Sequence, residues 1–280
     1  MKVCVGIVTR GRAELAEKAV ESALMQEPPP ELVWVIEDGV VGKPFEWEKG
    51  GPVRITRWEK NQGYLAARIK MTQEAEGELF VSLDDDAWFL ELDAIAHVLE
   101  VMKKDPKVGA VAFDILSPDR PQSQPRGTAC EARMFIGCGH ALRLSAVRAV
   151  GGYEQMPGLY GGEEKDLCLR LKDEGWRVVK LPGVHVWHDK TPTQRDLTAQ
   201  RRAGVLNDLT LIWRRCPRWK VAFYLLGNSI SQIRFSMGKP RERLGPTLQG
   251  IGEFLLAWPR LWASRRAVSA KTWKLYRRSG

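Results

Sequence analysis

Nowhere in its 280 residues does the chain carry the uninterrupted run of roughly 18 apolar residues that a membrane-spanning helix requires. A spanning helix is therefore not expected. Cysteine is sparse and unpatterned: Cys4, Cys130, Cys138, Cys168 and Cys216 are odd in number and lack the paired short spacings of a zinc site. Reduced thiols in a cytoplasmic setting follow. The first residues enter a strand-like run directly, so no signal peptide is expected. Acids are nearly missing from the last part of the chain, where residues 201–280 hold 17 Lys and Arg against Asp208, Glu242 and Glu253. That segment carries +14 of a net +9, which leaves −5 for residues 1–200: a mildly acidic body with a basic tail.

What is present reads as α/β, with length enough for one large domain or a domain plus an appendage. "VCVGIV" at 3–8 is a strand-length apolar run, and Ala16, Ala19, Val20, Ala23 and Leu24 then recur at helical spacing between Ala13 and Met25. "LVWVI" at 32–36, "VRITR" at 53–57 and "LFVSL" at 79–83 are further strands, with a helix over Tyr64–Glu76. Strand and helix alternating in this way predict parallel pairing and a Rossmann-like sheet. Ligands sit beyond the carboxyl ends of such strands, which gathers "TRGR" at 9–12, "EDG" at 37–39 and "DDD" at 84–86 into one place. A third helix over Leu92–Lys104 and a strand at 108–113 follow. Residues 114–134, rich in Pro, Ser and Arg, read equally as a lid or as a surface excursion. "WRVVKL" is a last strand, closing at Pro182.

The three acids of "FVSLDDDAWF" are the puzzle, since adjacent like charges repel while Phe80, Val81, Leu83, Trp88, Phe89 and Leu90 around them have the pattern of buried residues. An acidic turn is one reading. The other is that Asp84 and Asp86, alternate residues at a strand end, hold a hard divalent cation that bridges to phosphate oxygens. In the tail, Leu248, Ile251, Leu255, Trp258 and Trp262 step by three and four, and Val221–Ile233 is apolar at helical spacing. Basic amphipathic helices with Trp suit a membrane interface; helices packed on the body with solvated arginines are the alternative.

"VCVGIVTRGR", "VIEDG", "NQGYLAAR", "LDDD", "GGY", "GGEEKDLCLRL" and "LPGVHVWH" occur in an order that resembles glycosyltransferase family 2, inverting enzymes of the GT-A fold. The resemblance covers about residues 1–190; the tail is similar, more loosely, to bacterial rhamnosyltransferase-like members. It implies a GT-A domain over residues 1–195, a mostly parallel sheet flanked by helices, and a basic helical extension over 196–280. By position, it places Thr9, Arg12, Glu37, Asp38, Asn61, Gly63, Arg68, Asp84 and Asp85 around the nucleotide-sugar. Glu37 stands where Asp is usual, and Ile69 replaces an Asn that often follows the Arg. The metal, Mn²⁺ or Mg²⁺, falls to Asp84, Asp86 and His188, with His185 competing for the third place.

The catalytic base implied by the resemblance is Glu164, with Glu163 or Asp166 as substitutes. Glu164, Leu167, Cys168 and Leu171 share one helix stripe that would turn the carboxylate toward the body, and a first-turn position favours its anion. Gly152, Tyr153 and Asp166 fall on the acceptor side, although Gly151 and Gly152 equally suit a helix end after Val150. His140 is a further polar contact near the pocket, and His97 is read as structural. The donor implied by the resemblance is a UDP- or dTDP-sugar; the basic tail suggests a saccharide or lipid-linked acceptor of cell-envelope or exopolysaccharide synthesis at an anionic surface, the cytoplasmic membrane face. Nucleic acid is not an expected partner, and departures at Glu37, Ile69 and Glu164 keep open a relative that binds without turnover.

Overall fold

Continuous β-branched runs become the centre of a sheet because strands covered on both faces need apolar residues at every position. In the computed structural model, which describes residues 1–190, 196–238 and 243–278, β1 is Val3–Thr9, β2 Leu32–Asp38, β3 Val53–Trp58 and β4 Leu79–Asp84. The crossovers are α1 (Ala13–Leu24) and α2 (Tyr64–Glu74), and β3-β2-β1-β4 pair in parallel. The stripe read from the sequence, Ala16, Ala19, Val20 and Ala23, is the face that α1 buries. Gly6 lies in the middle of β1 because a Cβ there would come within 2.4 Å of the Phe80 ring.

The sheet then continues through β5 (Ala87–Phe89), α3 (Ala94–Lys104), β6 (Val108–Leu116), β7 (Cys130–Glu131), β8 (Gly139–Arg143), α4 (Leu144–Ala149), α5 (Glu163–Asp173) and β9 (Arg177–His188). Strand order is β3-β2-β1-β4-β8-β6-β9-β5, with β7 beside β9. β8 runs against β4 and β6, while β6 and β9 are parallel.

Three departures from the sequence reading matter. β6 extends past Phe113 to Leu116, buried throughout. β9 does not close at Pro182 but passes through it to His188, with a register shift against Ala112/Asp114 and Gly183 at φ +79°. A bulge is where a strand tolerates a residue without an N–H. The third is β5, whose three residues are too few to show a period. Of the residues expected to be buried there, Phe89 is, Trp88 is half-buried, and Leu90 is 49% exposed.

The described residues form two units, Met1–Tyr153 with Glu174–Thr191, and Glu154–Asp173 with Pro192–Gly280. The segment 154–173, counted with the first domain in the sequence reading, thus belongs with the C-terminal helices. Residue 195, the expected end of that domain, lies outside the described residues. The first unit contains the sheet and one large apolar core.

The second unit contains α5, α6 (Leu197–Arg215), α7 (Val221–Met237), α8 (Leu244–Leu261) and α9 (Ala270–Arg278). Val205, Leu206, Leu209 and Trp213 of α6 meet Phe254 and Leu261 of α8, while Leu211 and Ile212 meet Leu169 of α5 and Trp273 and Tyr276 of α9. Close approach of α8 to α6 depends on Gly250, where a Cβ would stand 2.5 Å from the Arg202 carbonyl. The described residues contain no helix long and apolar enough to cross a membrane, and all five cysteines are free thiols.

Candidate functional site

Parallel register brings the strand ends together. Val8 stands beside Asp84 and Thr9 beside Glu37, so the loops after β1, β2 and β4 open at one edge of the sheet. The three acids of "LDDD" meet different surroundings there. Asp84, about a third exposed, accepts a hydrogen bond from the Arg68 guanidinium at 2.7 Å. Arg68 is itself buried on α2, lies over the Tyr64 ring and donates to the Gly137 carbonyl at 2.8 Å.

Asp85 points the other way and is fully buried. It accepts from the Thr9 hydroxyl at 2.8 Å and from Arg12 Nε at 2.9 Å, with a second contact to Arg12 Nη2. Burial pushes the Asp85 carboxyl up to about 7; Arg12 and Thr9 pull it down, and Asp86 and Asp84 add to the rise. Thr9, Arg12 and Asp85 therefore form a brace under the loop.

Asp86, also buried, has Arg12 Nη1 at 3.3 Å on one side and His188 Nε2 at 3.3 Å on the other. His188 arrives by antiparallel pairing of β5 with β9, in which Ala87 faces His188 and the Asp189 N–H donates to the Asp86 carbonyl at 2.9 Å. One ligand atom from each of Asp84, Asp86 and His188 lies within 4.8 Å of the others. His185 is elsewhere: its Nδ1 meets Glu91, and its Nε2 lies 3.0 Å from the Gln124 carbonyl. Two carboxylates and one imidazole, crowded at the sheet's ligand edge, are a donor set that fits a divalent cation.

The acid pair after β2 organises loops. Glu37, buried, accepts from the Phe45 N–H at 3.2 Å and Arg57 Nε at 3.1 Å. Asp38 accepts from the Gln62 and Gly63 N–H groups at 2.6 and 2.8 Å, and Asn61 Oδ1 accepts from the Gly63 N–H at 3.0 Å. Gly63, at φ +91°, begins α2 and so fixes where Arg68 points. Gly39 must be glycine twice over, with φ +79° and the Asn61 N 2.8 Å from where a Cβ would be.

Gly151 and Gly152, at φ +84° and +75°, return their N–H groups to the Arg148 and Val147 carbonyls, and so cap α4. Tyr153 is buried, its hydroxyl 2.8 Å from His140 Nε2. His140 is stacked on Phe135 at 4.0 Å, and burial holds it neutral, well below its usual range. Tyr153 and His140 thus face each other in the interior. The 114–134 excursion is fastened at several points, Lys190 to Asp119, Arg126 to Asp93 and the Gly127 N–H to the Pro182 carbonyl among them. His97 meets Arg126 across it at 2.6 Å.

In the second unit, Glu163 and Glu164 occupy the first turn of α5. Glu163 is the more deeply buried and Glu164 is half-buried; Leu167, Cys168 and Leu171 are buried below Glu164 as its stripe predicted, but so are Leu169 and Arg170 on the other side. The helix is covered nearly all round because it lies among α6 and α9.

Asp166 faces none of the open surface. Arg170 Nε at 2.8 Å and Arg215 Nε at 2.6 Å hold its carboxylate, and Arg215 also reaches Glu154 at 2.7 Å. Burial opposes its ionisation, and the two guanidiniums overcome that and keep the carboxyl below its ordinary value. Asn207 of α6 holds the loop before α5 through the Gly158, Tyr160 and Gly161 carbonyls and the Gly158 N–H, all within 2.7–3.0 Å. Asn207, Arg214 and Arg215 escaped the sequence reading. Their one signal was polar residues in the midst of an apolar helix, "VLNDLTLIWRR".

A Rossmann-like sheet with an Asp-Asp-His group at its ligand edge is the architecture of GT-A glycosyltransferases, and solved structures of that fold superpose on this one. Staphylococcus aureus TarS 1–349 matches with a TM-score of 0.64 at 15% identity, over 94% of this chain and 83% of that one. The mannosyltransferase PcManGT of Pyrobaculum calidifontis, solved with GDP-Man and Mn²⁺, matches with a TM-score of 0.59 at 16% identity, over 99% and 79%. The family models described as "Glycosyl transferase family 2" and "Glycosyl transferase family group 2" match residues 4–142 and 119–238. The chain belongs to the family 2 glycosyltransferases.

Among curated proteins, an inactive polypeptide N-acetylgalactosaminyltransferase-like protein 5 of Macaca fascicularis is 21% identical over 231 residues, which cover 69% of this chain and 50% of that protein. The chain spans half or less of that relative and of a Sinorhizobium fredii protein, which it matches at 23% identity over 27% of the latter's length.

Proposed function

We propose that the chain is a metal-dependent inverting glycosyltransferase that moves a sugar from a UDP- or dTDP-linked donor to a hydroxyl of a saccharide or lipid-linked acceptor. The observation that carries this reading is the convergence of Asp84, Asp86 and His188 within 4.8 Å at the ends of the parallel strands. Asp84, Asp86 and His188 would hold a divalent cation there, which would supply Lewis-acid charge for a departing nucleoside diphosphate. Mn²⁺ suits the imidazole better than Mg²⁺, which favours oxygen ligands throughout. Mn²⁺ accompanies GDP-Man in the P. calidifontis structure, and UDP-GlcNAc is bound in one of S. aureus TarS, which supports the same class of donor.

Arg68 orients Asp84, and Arg12 braces Asp85 and reaches Asp86, so the two arginines hold the loop in shape. Glu37, Asp38, Asn61 and Gly63 shape the walls in which the base and ribose would lie. Glu164, by its place in the motif, takes the proton from the acceptor hydroxyl as that oxygen attacks the anomeric carbon and the diphosphate leaves with the bonding pair. Configuration inverts in one displacement, without a covalent enzyme intermediate.

The test is release of nucleoside diphosphate from a panel of UDP-, dTDP- and GDP-sugars with Mn²⁺, Mg²⁺ or EDTA, for the wild type, Asp86→Ala and Glu164→Gln. Metal-dependent release from one donor, lost in both variants, is the expected result. The inactive relative favours a second reading, donor binding without turnover. Thermal protection by one donor with metal, and no release in the presence of acceptor saccharides, would establish it.

A further inference from the structure

The second unit leaves a large apolar surface uncovered, on two helices that carry almost no acid. On α7, preceded by Trp219, the exposed residues Trp219, Phe223, Leu226 and Ile230 step by four, three and four, one stripe of a helix. Only Ser236 of α7 is fully buried. On α8, Leu248, Leu255 and Trp262 recur every seven residues, with Trp258 beside them, and all four are exposed. α8 buries the adjoining face, Thr247, Gly250, Phe254 and Leu261. The stripe visible in the sequence is thus divided: Ile251 packs on the core between α6 and α8 and the Trp258 and Trp262 rings meet Trp213 edge-on, while Leu248 and Leu255, with Leu256 beyond them, stay uncovered. Exposed apolar area on this scale marks an interaction surface.

Charge says what kind. Residues 201–280 carry +14, and exposed cations border both stripes: Arg218 before α7, Arg234 near its end, and Arg260 and Arg266 at the end of α8. Of the three acids, Asp208 is paired with Lys165 and Glu253 with Arg202, while Glu242 lies outside the described residues. Lys220 lies 4.2 Å over the Trp219 ring, so an apolar ring and an ammonium share one position at the edge. A second copy of this chain would bring +14 against +14. A nucleic acid would leave the aliphatic residues Leu226, Ile230, Leu248 and Leu255 with nothing to contact. A lipid bilayer with anionic headgroups satisfies both halves of the surface, with acyl chains for the stripes and phosphates for the rim.

We infer that the outward faces of α7 and α8 dock on an anionic membrane surface, in the plane of the headgroups and without crossing it. The interaction rests on the second unit alone and is independent of the metal site.

Sedimentation of the full-length chain with vesicles tests this. Vesicles of phosphatidylcholine with about a third phosphatidylglycerol bind the wild type in low salt; pure phosphatidylcholine binds it at least about tenfold less, and added salt weakens the binding. Phe223→Ser with Leu226→Ser, and separately Arg260→Glu with Arg266→Glu, each reduce the binding at least about tenfold. Nucleoside diphosphate release from a soluble donor is unchanged in both, which separates this inference from the proposed function and shows that the variants fold. Three results overturn the inference. One is equal, weak sedimentation with both vesicle types. Another is concentration-dependent self-association abolished by the apolar variant with no vesicle binding. The third is salt-sensitive retention on duplex DNA with no vesicle binding.

Discussion

Two clusters of buried aspartate and arginine, one in each unit, are built from the same chemistry to different ends. In the first, Asp84, Asp85 and Asp86 outnumber Arg12 and Arg68, Asp84 keeps a third of its surface open, and His188 adds an imidazole. In the second, Asp166 is closed between Arg170 and Arg215, Arg215 reaches Glu154, and Asp166 is about 1% exposed. An excess of carboxylate at an open edge leaves room for a cation, whereas matched charge in a closed interior fastens helix to helix. The difference lies in exposure and stoichiometry, which a residue-by-residue reading does not display.

The comparison is broken most directly by Asp86→Asn. It is expected to lower metal-dependent diphosphate release by about 10³-fold, comparable to removing a group that stabilises developing charge. The urea midpoint should not fall, because an amide relieves repulsion among neighbouring carboxylates. Unfolding without lost turnover would make the first cluster a fastener too. Glu164→Gln is expected to reduce turnover by about 10²–10⁴-fold with unchanged donor affinity, checked by single-turnover kinetics beside donor titration.

Arg215→Met sharpens the other side. Leaving Asp166 with one partner in the interior costs about 3–5 kcal/mol in urea unfolding, while Mn²⁺ affinity measured calorimetrically on the folded chain stays as in the wild type. The pH dependence follows with a definite sign. The Asp166 carboxyl is held below its ordinary value, so its contribution is complete above about pH 3.9 and is lost as pH falls through the lower folded value. Circular dichroism melts from pH 5 to about 2.5 should show that loss, and Asp166→Asn should remove its share of the slope. The smallest effect is Gly39→Ala, where a positive φ and a blocked Cβ cost about 1–3 kcal/mol in chemical denaturation.

Much of the first unit was legible because its signals are local. The strands β1, β2 and β4 are apolar runs, α1 and α3 are periodic, and the rule that ligands sit at strand ends gathers Thr9, Glu37 and Asp84 from sequence alone. The continuation of β9 through Pro182 was not legible, since proline ordinarily ends a strand and only the bulge opposite Asp114 accommodates it. Nor was the interior pairing of Tyr153 with His140, two residues that motif positions alone placed near a ligand.

By itself the sequence determined the parallel pairing of the first strands, the acidic loop at their ends, the family, and the charge asymmetry between body and tail, because each is written in residue type, near-neighbour spacing and the order of short motifs. Tertiary structure alone decided that His188 and not His185 stands beside Asp86, that Asp166 is enclosed by arginines, and that Leu248 and Leu255 of the α8 stripe are left uncovered while Ile251 is packed. Each of these depends on what a distant segment places against the residue: β5 on β9, α6 on α5, α6 on α8. Those contacts span from about fifty to a hundred positions of chain, a range over which periodicity and motif carry no information.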